Sequence, residues 1–160
     1  MKFKLFTSQE NRKDLNSCIF RSDLSGALIL IQAGADINGK NDRGIRPIYS
    51  ALNSDNPKNL KSLIEQGADI NIDFGAPLRE SFDNCIDGMI QKNRNVPYPE
   101  SLEMLEILLA NGADPEIKDE NGERPIDIIP VYAGSPENLN KLKSIFRALI
   151  PNIDELLKEQ

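Results

Sequence analysis

Histidine is missing from all 160 residues of this chain. That removes the usual general base, the usual activator of a serine or cysteine nucleophile, and the commonest zinc ligand. Cysteine occurs only as Cys18 and Cys85, too few for a four-ligand structural zinc site. Both lie among apolar residues, where a small thiol belongs to a helical core, and disulfides are rare in the cytosol. Neither a phosphate-cradling glycine loop nor a dinucleotide fingerprint is present. No apolar run is long enough to span a bilayer, and the opening Met1-Lys2-Phe3-Lys4-Leu5-Phe6-Thr7-Ser8 lacks the sustained apolar stretch of a signal peptide. The expectation is a soluble, cytoplasmic protein that is not an enzyme and holds no cofactor and no metal. Carboxylates could still supply acid–base chemistry or hold magnesium, Asp83 with Asp87 on one helix face being the candidate pair. Carboxylates four residues apart on a helix are ordinarily a solvated face.

What the chain does have is repetition. Gly-Ala-Asp occurs at Gly34-Ala35-Asp36, Gly67-Ala68-Asp69 and Gly112-Ala113-Asp114, each time after a run of aliphatic residues. Apolar positions recur at three- and four-residue steps: Leu60, Leu63 and Ile64; Leu102, Leu105, Leu108 and Leu109; Leu139, Leu142, Ile145, Phe146 and Leu149. Each set predicts a helix with one buried stripe. Asn56-Pro57 and Ser135-Pro136 read as polar N-caps followed by proline at the first helical position. The three glycines stand where the helices must stop, since glycine accepts the left-handed conformation that closes a helix. Asn152 with Glu155 predicts a capping box opening a last short helix.

The first two copies extend to Gly-Ala-Asp-Ile-Asn and lead to Asp42-Arg43-Gly44-Ile45-Arg46-Pro47-Ile48 and Phe74-Gly75-Ala76-Pro77-Leu78; a third turn is Asn121-Gly122-Glu123-Arg124-Pro125-Ile126. This pattern resembles the ankyrin repeat. The resemblance implies an all-α solenoid in one domain, with repeats near 11–38, 39–71, 72–116 and 117–150 and a C-terminal cap at 151–160. The third repeat carries an insertion near 92–99. Stacked units bury what one cannot, and polar end faces at Asn11-Arg12-Lys13-Asp14 and 154–159 would cap the stack. The resemblance also implies projecting turns at 39–45, 72–76 and 117–123, and inner helices beginning near Pro47, Pro77 and Pro125. Where the family has Thr-Pro-Leu-His, this chain has Arg46-Pro47-Ile48-Tyr49, Ala76-Pro77-Leu78-Arg79 and Arg124-Pro125-Ile126-Asp127. The usual brace is therefore lost. Either other contacts replace it, with the arginines pairing to Asp42 or Asp119 as one route, or the turns are looser.

Charge is unevenly distributed. Residues 100–127 hold nine carboxylates against Lys118 and Arg124, a net of −7, on a chain whose total is −6. Such a field repels nucleic acid and anionic membranes and attracts basic protein surfaces. Candidate partner-binding residues are Asp42 and Arg43 on the first turn, and Tyr49 and Asn53 on the helix after it. Phe74 is either an interface anchor or a residue folded back into its turn. Further candidates are Arg79, Glu80, Asp83 and Asn84 on the third repeat, Arg94 and Tyr98 on the insertion, Asp119, Glu120 and Glu123 on the acidic turn, and Asp127. The insertion is either a neutral surface loop or a contact element. A repeat of this type implies a protein-binding module and no particular partner. Small size, acidity and richness in Asn, Ile and Lys are similar to small bacterial ankyrin-type immunity proteins. That similarity implies a stoichiometric antidote, monomeric when free, to one basic toxin or nuclease domain. The alternative is an adaptor or scaffold, including one secreted into a host cell.

Overall fold

The computed structural model describes residues 15–158, and every regular element among them is helical. The chain divides into two compact units, Met1–Asp69 and Ile70–Gln160. The expected polar cap at 11–14, the opening octapeptide and Glu159 lie outside the described residues. The first unit contains α1 (helical over 15–20), α2 (Leu24–Gln32), α3 (Pro47–Leu52) and α4 (Pro57–Glu65). The second contains α5 (Ile72–Gln91), α6 (Pro99–Ala110), a 3-10 turn (Pro125–Asp127), α7 (Ile128–Ala133), α8 (Pro136–Phe146) and α9 (Ile153–Leu156). No helix among the described residues is long and apolar enough to cross a membrane.

Local chemistry sets the helix ends. The Asn56 side-chain oxygen accepts the Lys58 N–H at 3.2 Å, and the Ser135 hydroxyl accepts the Asn138 N–H at 3.2 Å, each before a proline at the first helical position. The expected capping box at Asn152 does not form. There the Glu155 N–H takes the backbone carbonyl of Asn152 at 2.9 Å instead.

All three Gly-Ala-Asp segments close their helices identically. The glycine N–H bonds the carbonyl three residues back, and the alanine N–H the carbonyl five residues back: Leu30, Leu63 and Leu108, at 2.9, 3.0 and 3.0 Å. The glycines take φ of 95°, 92° and 91°, which an L side chain resists. The alanines are buried. The last residue of the pentapeptide then ties each copy to the next. The Asn38 side-chain oxygen accepts the Asp69 N–H at 2.9 Å; the Asn71 amide accepts the Asp114 N–H at 2.9 Å and donates to the Gly112 carbonyl at 3.0 Å. The third copy has no following Gly-Ala-Asp, and it carries Glu116 in place of the asparagine.

In the first unit Leu15, Ile19, Leu60 and Leu63 are fully enclosed. Asn59 is buried among them, and its amide donates to the Ile19 carbonyl and to the hydroxyls of Ser22 and Ser54 at 2.8–2.9 Å. In the second unit Leu78, Phe82, Ile86, Leu105, Leu108, Ile126, Ile129 and Phe146 form the core. Phe82 and Phe146 meet edge to face at 5.4 Å. Each such side chain contributes about 1.5–3 kcal/mol by leaving water, which is what holds the long α5 against α6 and α7.

Candidate functional site

Two of the three expected turns are built alike. In one, the Asn41 N–H bonds the Ile45 carbonyl at 2.9 Å, and the Asn41 side-chain oxygen accepts the N–H groups of Arg43 and Ile45 at 3.0 and 2.9 Å. In the other, the Asp119 N–H bonds the Glu123 carbonyl at 3.0 Å, and the Asp119 carboxylate accepts the N–H groups of Asn121 and Glu123 at 2.8 and 2.9 Å. A short Asn or Asp side chain folding onto its own backbone makes a turn without help from a sheet. The segment 72–76 departs from this pattern. Asp73, Phe74 and Gly75 lie consecutively in the left-handed region, with φ of 52°, 58° and 76°, and the chain enters the body of α5 from there. Phe74 stays half exposed and does not fold back into a core.

Arginines precede the prolines of two of these segments and fasten to neighbouring groups. Arg46 donates to the Asn38 carbonyl at 2.6 Å. Arg124 is buried and grips Asp127, with Nη2 at 2.7 Å from Oδ1 and at 2.8 Å from the Leu156 carbonyl. Asp127, expected as an exposed contact residue, is therefore the internal counter-ion of Arg124, and it also accepts the Arg124 backbone N–H at 2.8 Å. Burying a guanidinium demands such a partner. Arg124 thus pairs to the residue three positions on.

The second unit carries 17 carboxylates against 9 cations, a net of −8, while the first carries 8 against 10, a net of +2. Glu80, Asp83 and Asp87 follow one face of α5 at helical spacing. Asp83 meets Tyr132 of α7, whose hydroxyl bonds its carboxylate. That bond, partial burial and the fields of Asp83, Asp87 and Glu80 push the tyrosine up to about 12. Asp87 also accepts the side-chain amide of Gln91. Arg79 reaches Glu123 at 3.0 Å, and so ties the acidic turn to α5. Of the three turn carboxylates, Asp119 is committed to its own loop and Glu123 to Arg79, which leaves Glu120 facing solvent. Asn84 is half-buried on α5.

Asp42, Arg43, Tyr49 and Asn53 share one open cleft of about 450 Å³ in the first unit with Asn16, Ser17, Phe20, Asn41, Ile45 and Ser50. Phe20 and Ile45 supply its exposed apolar surface and were not foreseen from the sequence. A second cleft of about 410 Å³ opens in the other unit beside the insertion. Arg94 lies at its edge, stacked on the Tyr98 ring at 4.3 Å, so these two expected residues do act together. Tyr132, Ile90 and Lys141 of this cleft were not singled out either; the exposed Ile90 on the polar end of α5 was the available signal.

Cys85 does not stand in a reactive setting of the kind a nucleophile needs. Cys85 is enclosed, and burial pushes its thiol up to about 12; Cys18 is only half-buried, so the core expectation holds fully for Cys85 alone. Among the described residues no three Cys, Asp or Glu side chains gather where they could hold a metal ion. Asp83 and Asp87, the candidate acid–base pair, are engaged by Tyr132 and Gln91. No model of a known protein family matches the sequence, and no curated protein matches it significantly.

Proposed function

We propose that this chain is an ankyrin-type solenoid that binds and occludes one basic protein, in the manner of an immunity protein neutralising a toxin or nuclease domain. The observation that carries this reading is the acidic surface of the second unit. Glu80, Asp83 and Asp87 on α5 and the turn at 119–123 are joined through the Arg79–Glu123 pair and held by hydrogen bonds. Preordered charge of one sign speeds encounter with an opposite surface and lowers the ordering cost of binding. The identical closure of three Gly-Ala-Asp helices and the Asn38 and Asn71 links between copies support the repeat assignment. An adaptor is the second reading, favoured by the cleft edged with Arg94 and Lys141, which offers the opposite charge on the same unit.

The test uses charge variants that spare the turn. Asp119→Asn keeps the side-chain acceptor and removes the charge; it is combined with Glu80→Lys and Glu120→Lys. Association of the captured partner is followed by stopped flow at several salt concentrations. The proposal expects slower association and a flatter salt dependence for the variant. Unchanged association at low salt removes the acidic surface from the account.

A further inference from the structure

The 92–99 insertion frames a site whose chemistry is opposite to that of the rest of its unit. The cleft beside it is floored by Ile86, Met89, Ile90, Leu142 and Ile145, and its polar lining is Asn93, Arg94, Asn95, Tyr132, Asn138 and Lys141. Two cations and no carboxylate line it, although the unit around it has a net charge of −8. Arg94 is held on two sides, by the Tyr98 ring at 4.3 Å and by the Val96 carbonyl, which its Nε–H reaches at 3.3 Å. Among the described residues no carboxylate pairs with it. Lys141 has only the exposed Glu137, at 3.3 Å on its own helix. Ile90 leaves 57% of its surface in solvent at the cleft. An arginine immobilised over an aromatic ring beside apolar surface has already met part of the ordering cost of binding.

We infer that this cleft, between the end of α5, α8 and the insertion, docks a short acidic segment of a partner protein. A bulky apolar side chain of that segment enters among Ile90, Leu142 and Ile145, and a carboxylate near it meets Arg94 and Lys141. Nucleic acid shares the negative charge but brings no aliphatic side chain for the apolar lining of Ile90, Leu142 and Ile145. The site adjoins the basic-partner surface through Tyr132, which lines the cleft and bonds Asp83, but its two cations stand on the insertion and on α8.

The experiment measures fluorescence anisotropy of the full chain with three labelled peptide pools. One has Leu, Ile, Met or Phe flanked by Asp and Glu; one has the same apolar residues flanked by Lys and Arg; one has acidic flanks around Ser. Saturable binding of the first pool alone is expected, weakening as salt rises. Arg94→Glu should lower its affinity about tenfold or more, and Ile90→Ser should do so at unchanged salt dependence. Both residues are exposed, so neither substitution disturbs the core; far-UV circular dichroism and the urea midpoint verify this. The combined Glu80, Asp119 and Glu120 variant should bind the acidic pool undiminished, which keeps this site's failure distinct from that of the acidic surface. Equal binding of the basic or serine pool, no binding of the acidic pool, or an Arg94→Glu variant with unchanged affinity overturns the inference.

Discussion

Replacing Gly75 by alanine tests how the acidic turn is seated. Gly75 has φ of +76°, and a Cβ built on it would stand 2.6 Å from Cγ2 of Ile117 and 2.8 Å from Cγ of Pro125. The left-handed conformation alone costs an L residue about 1–2 kcal/mol. Forcing a methyl into occupied space adds about 1–3 kcal/mol, for a total of about 2–5 kcal/mol. Gly67 is the internal control. Its φ of +92° carries the same conformational cost, but no atom lies within 4 Å of the added Cβ, so Gly67→Ala should cost only about 1–2 kcal/mol. Urea unfolding followed by circular dichroism reads both. Because Ile117 and Pro125 flank the turn at 119–123, Gly75→Ala should also shift the amide resonances of Asp119 and Gly122, which Gly67→Ala should leave in place. Equal destabilisation by the two substitutions refutes the packing explanation.

Three further outcomes follow from hydrogen-bonded polar groups. Asn59→Ala removes the amide's bonds to the Ile19 carbonyl and to the Ser22 and Ser54 hydroxyls, which keep the Ser22 N–H, the Asn56 amide and the Ala51 carbonyl as partners, and should lower unfolding free energy by about 1–2 kcal/mol, measured against Ser144→Ala at an exposed site. Asp127→Ala leaves the Arg124 guanidinium without its closest anion, costing about 3 kcal/mol in the same assay, whereas Asp127→Asn should cost less because the amide oxygen still accepts the backbone N–H. The Tyr132 phenol, raised above its ordinary 10.0 to about 12, should show that raised value in an absorbance titration at 295 nm, and Asp83→Asn should bring it down. Because the folded value lies above the unfolded one, its contribution to stability is whole below about pH 10 and declines as pH rises toward 12.

Helix ends and repetition were the legible part of this fold. Proline after Asn56 and Ser135 marks a start whatever the tertiary context, and Gly-Ala-Asp marks a stop because only its glycine accepts the required backbone. The turn at 72–76 was not legible: Asp73 and Phe74 take left-handed angles that their side chains disfavour, and they do so with Gly75 packed under Ile117 and Pro125, a contact 42 or more residues away in sequence. Asp127 read as a surface charge because its partner Arg124 is ordinarily exposed; only the enclosure of the guanidinium with the Leu156 carbonyl reverses that. The link role of Asn38 and Asn71 was present in the sequence as a difference between copies, with asparagine where another Gly-Ala-Asp follows and Glu116 where none does. The site itself was half legible. Charge density pointed to the 119–123 turn, but composition could not show that Asp119 and Glu123 are spoken for, or that Tyr132 bonds Asp83.

The proposed function requires that this chain bind one basic protein and block it. The most direct measurement immobilises the full chain, captures partners from its native cells, determines the mass and stoichiometry of the complex, and assays the partner's nuclease or other toxic activity before and after the chain is denatured away. Occlusion requires a single basic partner at one-to-one stoichiometry, with activity appearing only on release. Several substoichiometric partners, or a partner fully active while bound, would contradict it.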